Sequence, residues 1–202
     1  IPNKDIITFD PNSVKKRFVL LFTIVGCLSL LGFGVYNLYI GQTVLGYGEI
    51  ACCVIGLLNI LIVYKFKKVS LGINVILVIM FLLLLYLLVS GGIESTGVFW
   101  FFTFPALAFF LNDRDKGLIW IMLLVISAGL IGVLSYLNYL TISITFIELR
   151  QLLLSFLVVS LIIYFYEDTN EKAENLIRKQ NEEVAIAVND LGDEIAIRTA
   201  SE

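Results

Sequence analysis

The sequence predicts an all-α polytopic membrane protein: six transmembrane helices followed by a cytoplasmic, parallel coiled-coil helix. Three observations carry this. Of the 202 residues, 59% are hydrophobic and 15% charged, against an apolar share of about 45–50% in soluble domains. Apolar runs recur as far as Tyr166, and runs of about 20 residues cross a hydrocarbon layer of about 30 Å. From Glu167 onward the chain turns polar, with apolar residues spaced by sevens. The first run has 17 mixed residues before it and no small-residue cleavage site after it, which argues against a cleaved secretory signal.

The elements follow in order. Residues 1–17 form a cytoplasmic or interfacial segment. Within it Ile6, Ile7 and Phe9 suit the interface, Asp10 is placed to cap a helix and Pro11 to occupy its first position, and Lys15–Arg17 reach anionic headgroups. Residues 18–166 form the membrane domain. Its spans are predicted at Phe18–Tyr39, Val44–Tyr64, Leu71–Val89, Val98–Leu111, Gly117–Leu137 and Leu149–Tyr166. The fourth is short: 14 residues reach only about 21 Å as α-helix. It must therefore borrow length from Ile93–Gly97 or stop below one surface, and Pro105 is expected to kink it. Gly26, Gly32, Gly34, Ala128 and Gly132 allow close packing, expected within one bundle.

Of the 14 Lys and Arg residues, 13 fall before the first span, in the second and fourth loops, or after the sixth; Arg150 is the exception. The positive-inside rule then places both termini in the cytoplasm. The chain has no histidine, which removes Ser-His and Cys-His dyads and His-ligated metal or haem. Cys27, Cys52 and Cys53 lie inside apolar runs without metal-site spacing. Accordingly no catalytic residue, cofactor, metal or nucleic-acid partner is expected.

Residues 167–202 read as one helix. Ile177, Val184 and Leu191 are seven apart, as are Val188 and Ile195, and the two sets interleave as d and a positions of a heptad. Asn181 fills the remaining a position, where a lone Asn fixes register and two strands. A homodimer is the expected consequence. Opposing it are the short repeat, Gly192 and Arg198 at a d position. The register is cut at Glu202 and the chain begins at Ile1, so an output domain is expected to follow.

The outer face holds the candidate ligand contacts: Glu49, Glu94, Ser95, Thr96, Trp100, Glu148 and Arg150. A charge inside a bilayer costs about 2.5–3.5 kcal/mol on insertion scales and is normally paired or faces a wet cavity. Glu49 thus either reaches the interface, pairs with Arg150, or contacts a ligand. In Gly91-Gly92-Ile93-Glu94-Ser95-Thr96-Gly97, Ser95 or Thr96 is placed to cap the fourth helix, with Glu94 near its positive end. Trp100 with Phe99, Phe101, Phe102 and Phe104 forms an aromatic belt or a pocket wall. Thr141–Thr145 alternates polar and apolar, as an interfacial lid would.

The run Gly91–Trp100, followed by Phe104-Pro105 and Phe109-Phe110-Leu111, and later Tyr164-Phe165-Tyr166-Glu167, resembles bacterial receptors with N-terminal multi-span sensor modules. In these a helical linker joins the sensor to a diguanylate cyclase (GGDEF) domain or a histidine kinase. Leu191…Asp193-Glu194-Ile195…Arg198 is similar to such linkers. The resemblance implies a sensor of the bacterial inner membrane that passes an outer or intramembrane stimulus through the sixth helix and a dimeric coil to a catalytic half. The competing readings are a small transporter or channel with Glu49 as its proton or ion site, and an intramembrane enzyme. The absent histidines count against the enzyme.

Overall fold

The computed structural model describes the backbone of residues 11–201 and their side chains except at 11–14, 193, 194, 196 and 199–201. The expected roles of Ile6, Ile7, Phe9 and Asp10 lie outside the described residues. The helices are α1 (Pro11–Tyr39), α2 (Thr43–Lys65), α3 (Val69–Ser90), a 3-10 helix (Ile93–Phe102), α4 (Thr103–Leu111), α5 (Arg114–Tyr136) and α6 (Phe146–Ser201). Among the described residues, six helical stretches are long and apolar enough to cross a membrane, and they agree with the six predicted spans. The protein is a membrane protein, and the bundle's many exposed leucine, isoleucine and valine side chains meet lipid.

The chain divides into two compact units, Ile1–Ile163 and Tyr164–Glu202. In the first, α1 and α2 form a hairpin. Its turn is held by Gly41 at φ +86° and by the Gln42 N–H donating to the Asn37 carbonyl at 2.8 Å. The two helices cross at paired glycines. A Cβ on Gly46 would stand 2.9 Å from the Gly34 carbonyl oxygen, and one on Gly34 would stand 3.2 Å from that of Gly46. Gly26 and Gly32, on the same helix as Gly34, face open space. The expectation of packing within one bundle is met at Gly34 and again in α5, where a Cβ on Gly132 would collide with Leu149 of α6. Ala128 is fully buried.

α3 is the central helix, touching α1, α2, the 3-10 helix, α4 and α5. Its Leu77, Leu84 and Leu88 are fully buried, as expected of a helix apolar on every side. α6 joins the bundle through larger side chains, with Phe156 edge-on to Phe101 at a ring separation of 6.2 Å.

The fourth span does borrow length from Ile93–Gly97, making one stretch of Ile93–Leu111. The borrowed part is not one regular helix: Glu94 and Ser95 are left-handed, and 3-10 geometry runs on from there to Phe102. The expected kink at Pro105 is corrected. Pro105 is the third residue of α4, in the first turn, where an N–H has no intrahelical partner to lose. The interruption lies instead at Glu94 and Ser95, which are left-handed, whereas the backbone stays right-handed helical at Phe102 and Thr103, where the 3-10 helix hands over to α4.

The second unit is helical from Tyr164 through Ser201. Lys172 pairs with Asp168 at 2.6 Å, one turn apart. Ile177, Val184, Val188, Leu191 and Ile195 are all exposed, and so is Asn181.

Candidate functional site

The site begins at the outer turn of the α1–α2 hairpin. Asn37 lies in the last turn of α1 and Glu49 about two turns into α2, so closing the hairpin brings both inside the bundle. Glu49 is 6% exposed and Asn37 1%. The Asn37 Nδ2 donates to Glu49 Oε2 at 2.7 Å. Hydrogen bonding satisfies a buried carboxylate that would otherwise be costly. The satisfaction is incomplete: Asn37 Oδ1 is buried without a partner.

Glu49 also lines a partly open cavity of about 370 Å³ bounded by α1, α2, α3 and the fourth span. Gly26, Phe33, Leu83, Trp100 and Thr103 are among its other walls. Phe33 meets Trp100 edge-on at a ring separation of 5.6 Å. The hydroxyls on the wall are committed to their own helices: Thr23 donates to the Val19 carbonyl at 2.7 Å, Ser29 to Val25 at 3.0 Å and Thr103 to Trp100 at 2.7 Å. Among the described residues, Glu49 is the one carboxylate on this wall. Gly26 contributes empty space, since a Cβ there would meet no atom within 4 Å.

Above the cavity, α3 ends on Gly91 at φ +78°, whose N–H donates to the Leu87 carbonyl at 2.8 Å. The chain then turns through left-handed backbone at Gly92 (+65°), Glu94 (+48°) and Ser95 (+63°). Such conformations are costly for residues with a Cβ and gather at functional and switch segments. The turn closes where the Gly97 N–H donates to the Gly91 carbonyl at 2.9 Å. The last outer loop is clasped to the same place: both the N–H and the hydroxyl of Ser143 donate to the Val89 carbonyl, at 3.2 and 3.0 Å.

Residues 11–177 match the sequence profile of MASE6, a family of membrane-associated sensors. The chain belongs to the MASE6 family. No curated protein and no solved structure matches it. The MASE6 match covers all six spans, the cavity, and the tail as far as Ile177. It bears out the expected multi-span sensor module.

Within this MASE6 chain the predicted candidates separate into three places. Glu49 and Trp100 share the cavity wall. Glu94, Ser95 and Thr96 form the left-handed turn, but neither hydroxyl caps the helix that follows: no side chain caps its start, and Thr96 donates to the Ile93 carbonyl at 2.7 Å. Glu148 and Arg150 sit at the start of α6. Glu148 closes a capping box with Thr145, accepting from the Thr145 N–H at 2.7 Å and hydroxyl at 2.9 Å, while its own N–H donates back to Thr145 Oγ1 at 3.3 Å. These hydrogen bonds hold the Glu148 carboxyl below its ordinary range. Arg150 is exposed, and the structure shows no ion pair between it and Glu49.

Two residues escape a reading by charge. Asn37 is the partner of Glu49, and Asn59, fully buried, donates to the Gly72 carbonyl of α3 at 2.9 Å. The available signal was an amide inside an apolar run, which needs a hydrogen-bonding partner on a neighbouring helix.

Proposed function

We propose that this chain is the receiving part of a dimeric transmembrane receptor. A stimulus at the outer face or within the bundle changes the packing of the six spans. The sixth helix passes that change to a parallel coiled coil, which drives a diguanylate cyclase or a histidine kinase. Both termini lie in the cytoplasm, on the side marked by 13 of the 14 basic residues. One observation carries the reading. A single helix covers Phe146–Ser201, and beyond the membrane segment it leaves Ile177, Val184, Val188, Leu191 and Ile195 exposed at heptad spacing, a stripe that two parallel copies bury. A stimulus that inverts the state balance from 1:99 to 99:1 must favour one state by about 5.5 kcal/mol.

Cysteine cross-linking in native membranes tests the dimer. Single cysteines placed along 177–195 should give covalent dimers with a seven-residue period, strongest at Val184 and Leu191. Uniform or absent cross-linking would overturn the coil. In a fusion of an output domain to the tail, Arg150→Ala should abolish the response if this exposed cation anchors the stimulus; an unchanged dose response removes it from that role.

A second reading, a transporter with Glu49 as its ion site, draws on the burial of that carboxylate beside a cavity. It requires flux in proteoliposomes that disappears in Glu49→Gln.

A further inference from the structure

We propose that the cavity bounded by α1, α2, α3 and the fourth span binds an apolar chain molecule whose polar end donates a hydrogen bond to Glu49. The inference deepens the sensor reading by naming the chemical class of its stimulus.

Its size comes first. A volume of about 370 Å³ falls in the range of small-molecule sites, about 300–1,000 Å³. The walls come second. They are apolar apart from Glu49, the indole N–H of Trp100, the two thiols of Cys27 and Cys52, and hydroxyls already donating to their own helices. They suit a hydrocarbon chain and offer one strong polar anchor. The anchor is unfinished. Glu49 is nine-tenths buried and lines the cavity, yet its only hydrogen bond runs from Asn37 to Oε2. Oε1 accepts nothing among the described residues and is left as an acceptor on an otherwise largely apolar wall. A ligand ammonium, hydroxyl or amide supplies the missing donor; a ligand carboxylate meets like charge and is rejected. The space is also kept open by sequence: a side chain at Gly26 would project into it without meeting an atom within 4 Å.

Trp100 on the wall supplies the readout. The full chain carrying Trp120→Phe keeps Trp100 as its one tryptophan of the original two. It is reconstituted in phosphatidylcholine nanodiscs and titrated with ω-bromodecylamine, ω-bromodecanol, ω-bromodecanoate and bromodecane. The amine and the alcohol should quench Trp100 saturably, at concentrations about tenfold or more below those the carboxylate and the alkane need, a difference of about 1.4 kcal/mol. Glu49→Gln should erase the advantage of the amine over the alkane. Gly26→Leu and Ala106→Leu, which fill the cavity from α1 and from α4, should each abolish saturable quenching; having both guards against one of them failing to fold.

A phosphatidylethanolamine with brominated acyl chains identifies the source. Quenching by this lipid that Gly26→Leu removes assigns the occupant to the bilayer. Saturable quenching by the amine with none from the lipid assigns a free amphiphile. Equal, unsaturable quenching by all four probes, or quenching untouched by both filling variants, overturns the proposal. Binding is read without the tail, so a seven-residue cross-linking period beside an unoccupied cavity would refute this inference and leave the sensor reading in place.

Discussion

Leu154, in the membrane segment of the bundle, and Leu191, in the tail, are nearly equally exposed, at 59% and 58%. Their surroundings differ. Residues 151–166 carry no charge on any side of the helix, so an exposed leucine there faces lipid. Around Leu191 the residues Ile177, Val184, Val188 and Ile195 recur at heptad spacing between Asp, Glu, Asn, Lys and Arg, the spacing that a two-stranded coil would bury. Leu176, Ile186 and Ile197 lie off that spacing and are exposed as well. Exposure alone does not separate the two regions; the chemistry around each helix does.

The comparison breaks most visibly when the same charge enters both places. Leu154→Asp should impair insertion by about 3–4 kcal/mol, the difference between leucine and aspartate at a span centre, read as loss of the membrane-integrated fraction. Leu191→Asp should leave insertion unchanged and abolish tail cross-linking. Equal effects of the two would remove the distinction between lipid-facing and partner-facing leucines.

Within the bundle, contact decides what a glycine is for. Gly34→Leu should lower stability by about 1–3 kcal/mol or more through overpacking at the α1–α2 crossing, because a Cβ there already lies 2.9 Å from Ile50. Gly32→Leu, two residues earlier and facing open space, should cost little in a thermal melt in detergent. The buried polar pair sharpens the same point. Asn37→Leu strands Glu49 and should cost about 1–3 kcal/mol, whereas Asn37→Leu with Glu49→Leu removes both partners and should recover most of that loss.

These distinctions show what was legible beforehand. Length and hydropathy gave all six spans, because a bilayer constrains a helix through composition that can be read locally. Glu49 and Trp100 stood out as a charge and an indole in apolar runs, and both line the cavity. Asn37 did not, because its importance comes from the hairpin that brings it to Glu49. The left-handed backbone at Glu94 and Ser95 was equally hidden: the glycines flanking them announced a turn, but its path is fixed by the closure of Gly97 on Gly91 and by the Ser143 clasp. The capping box was present in sequence as Thr145-Phe146-Ile147-Glu148, a recognisable helix start that accounts for Glu148 without a ligand.

The smallest expected effect lies outside the spans. Lys15 at the start of α1 pairs with Asp113, ahead of α5, at 2.7 Å. The Lys15 hydrogen bond holds the Asp113 carboxyl below its ordinary value, helped by the charges of Lys15 and Lys116 and opposed by partial burial. A carboxylate whose pKa is lower folded than unfolded stabilises the fold above its unfolded value, and that contribution disappears as pH falls through the folded value. The window is therefore acidic, below the usual carboxylate range, with no change expected around neutrality. Both partners are substantially solvent-accessible, 34% for Lys15 and 65% for Asp113, so screening limits the pair to about 1 kcal/mol or less. Thermal melts of the wild type and Asp113→Asn should differ slightly at neutral pH and converge under acid, and about 1 M salt should narrow the neutral-pH gap because the Debye length contracts to about 3 Å. A gap that persists unchanged in acid would show that Asp113 holds the two helices together by something other than its charge.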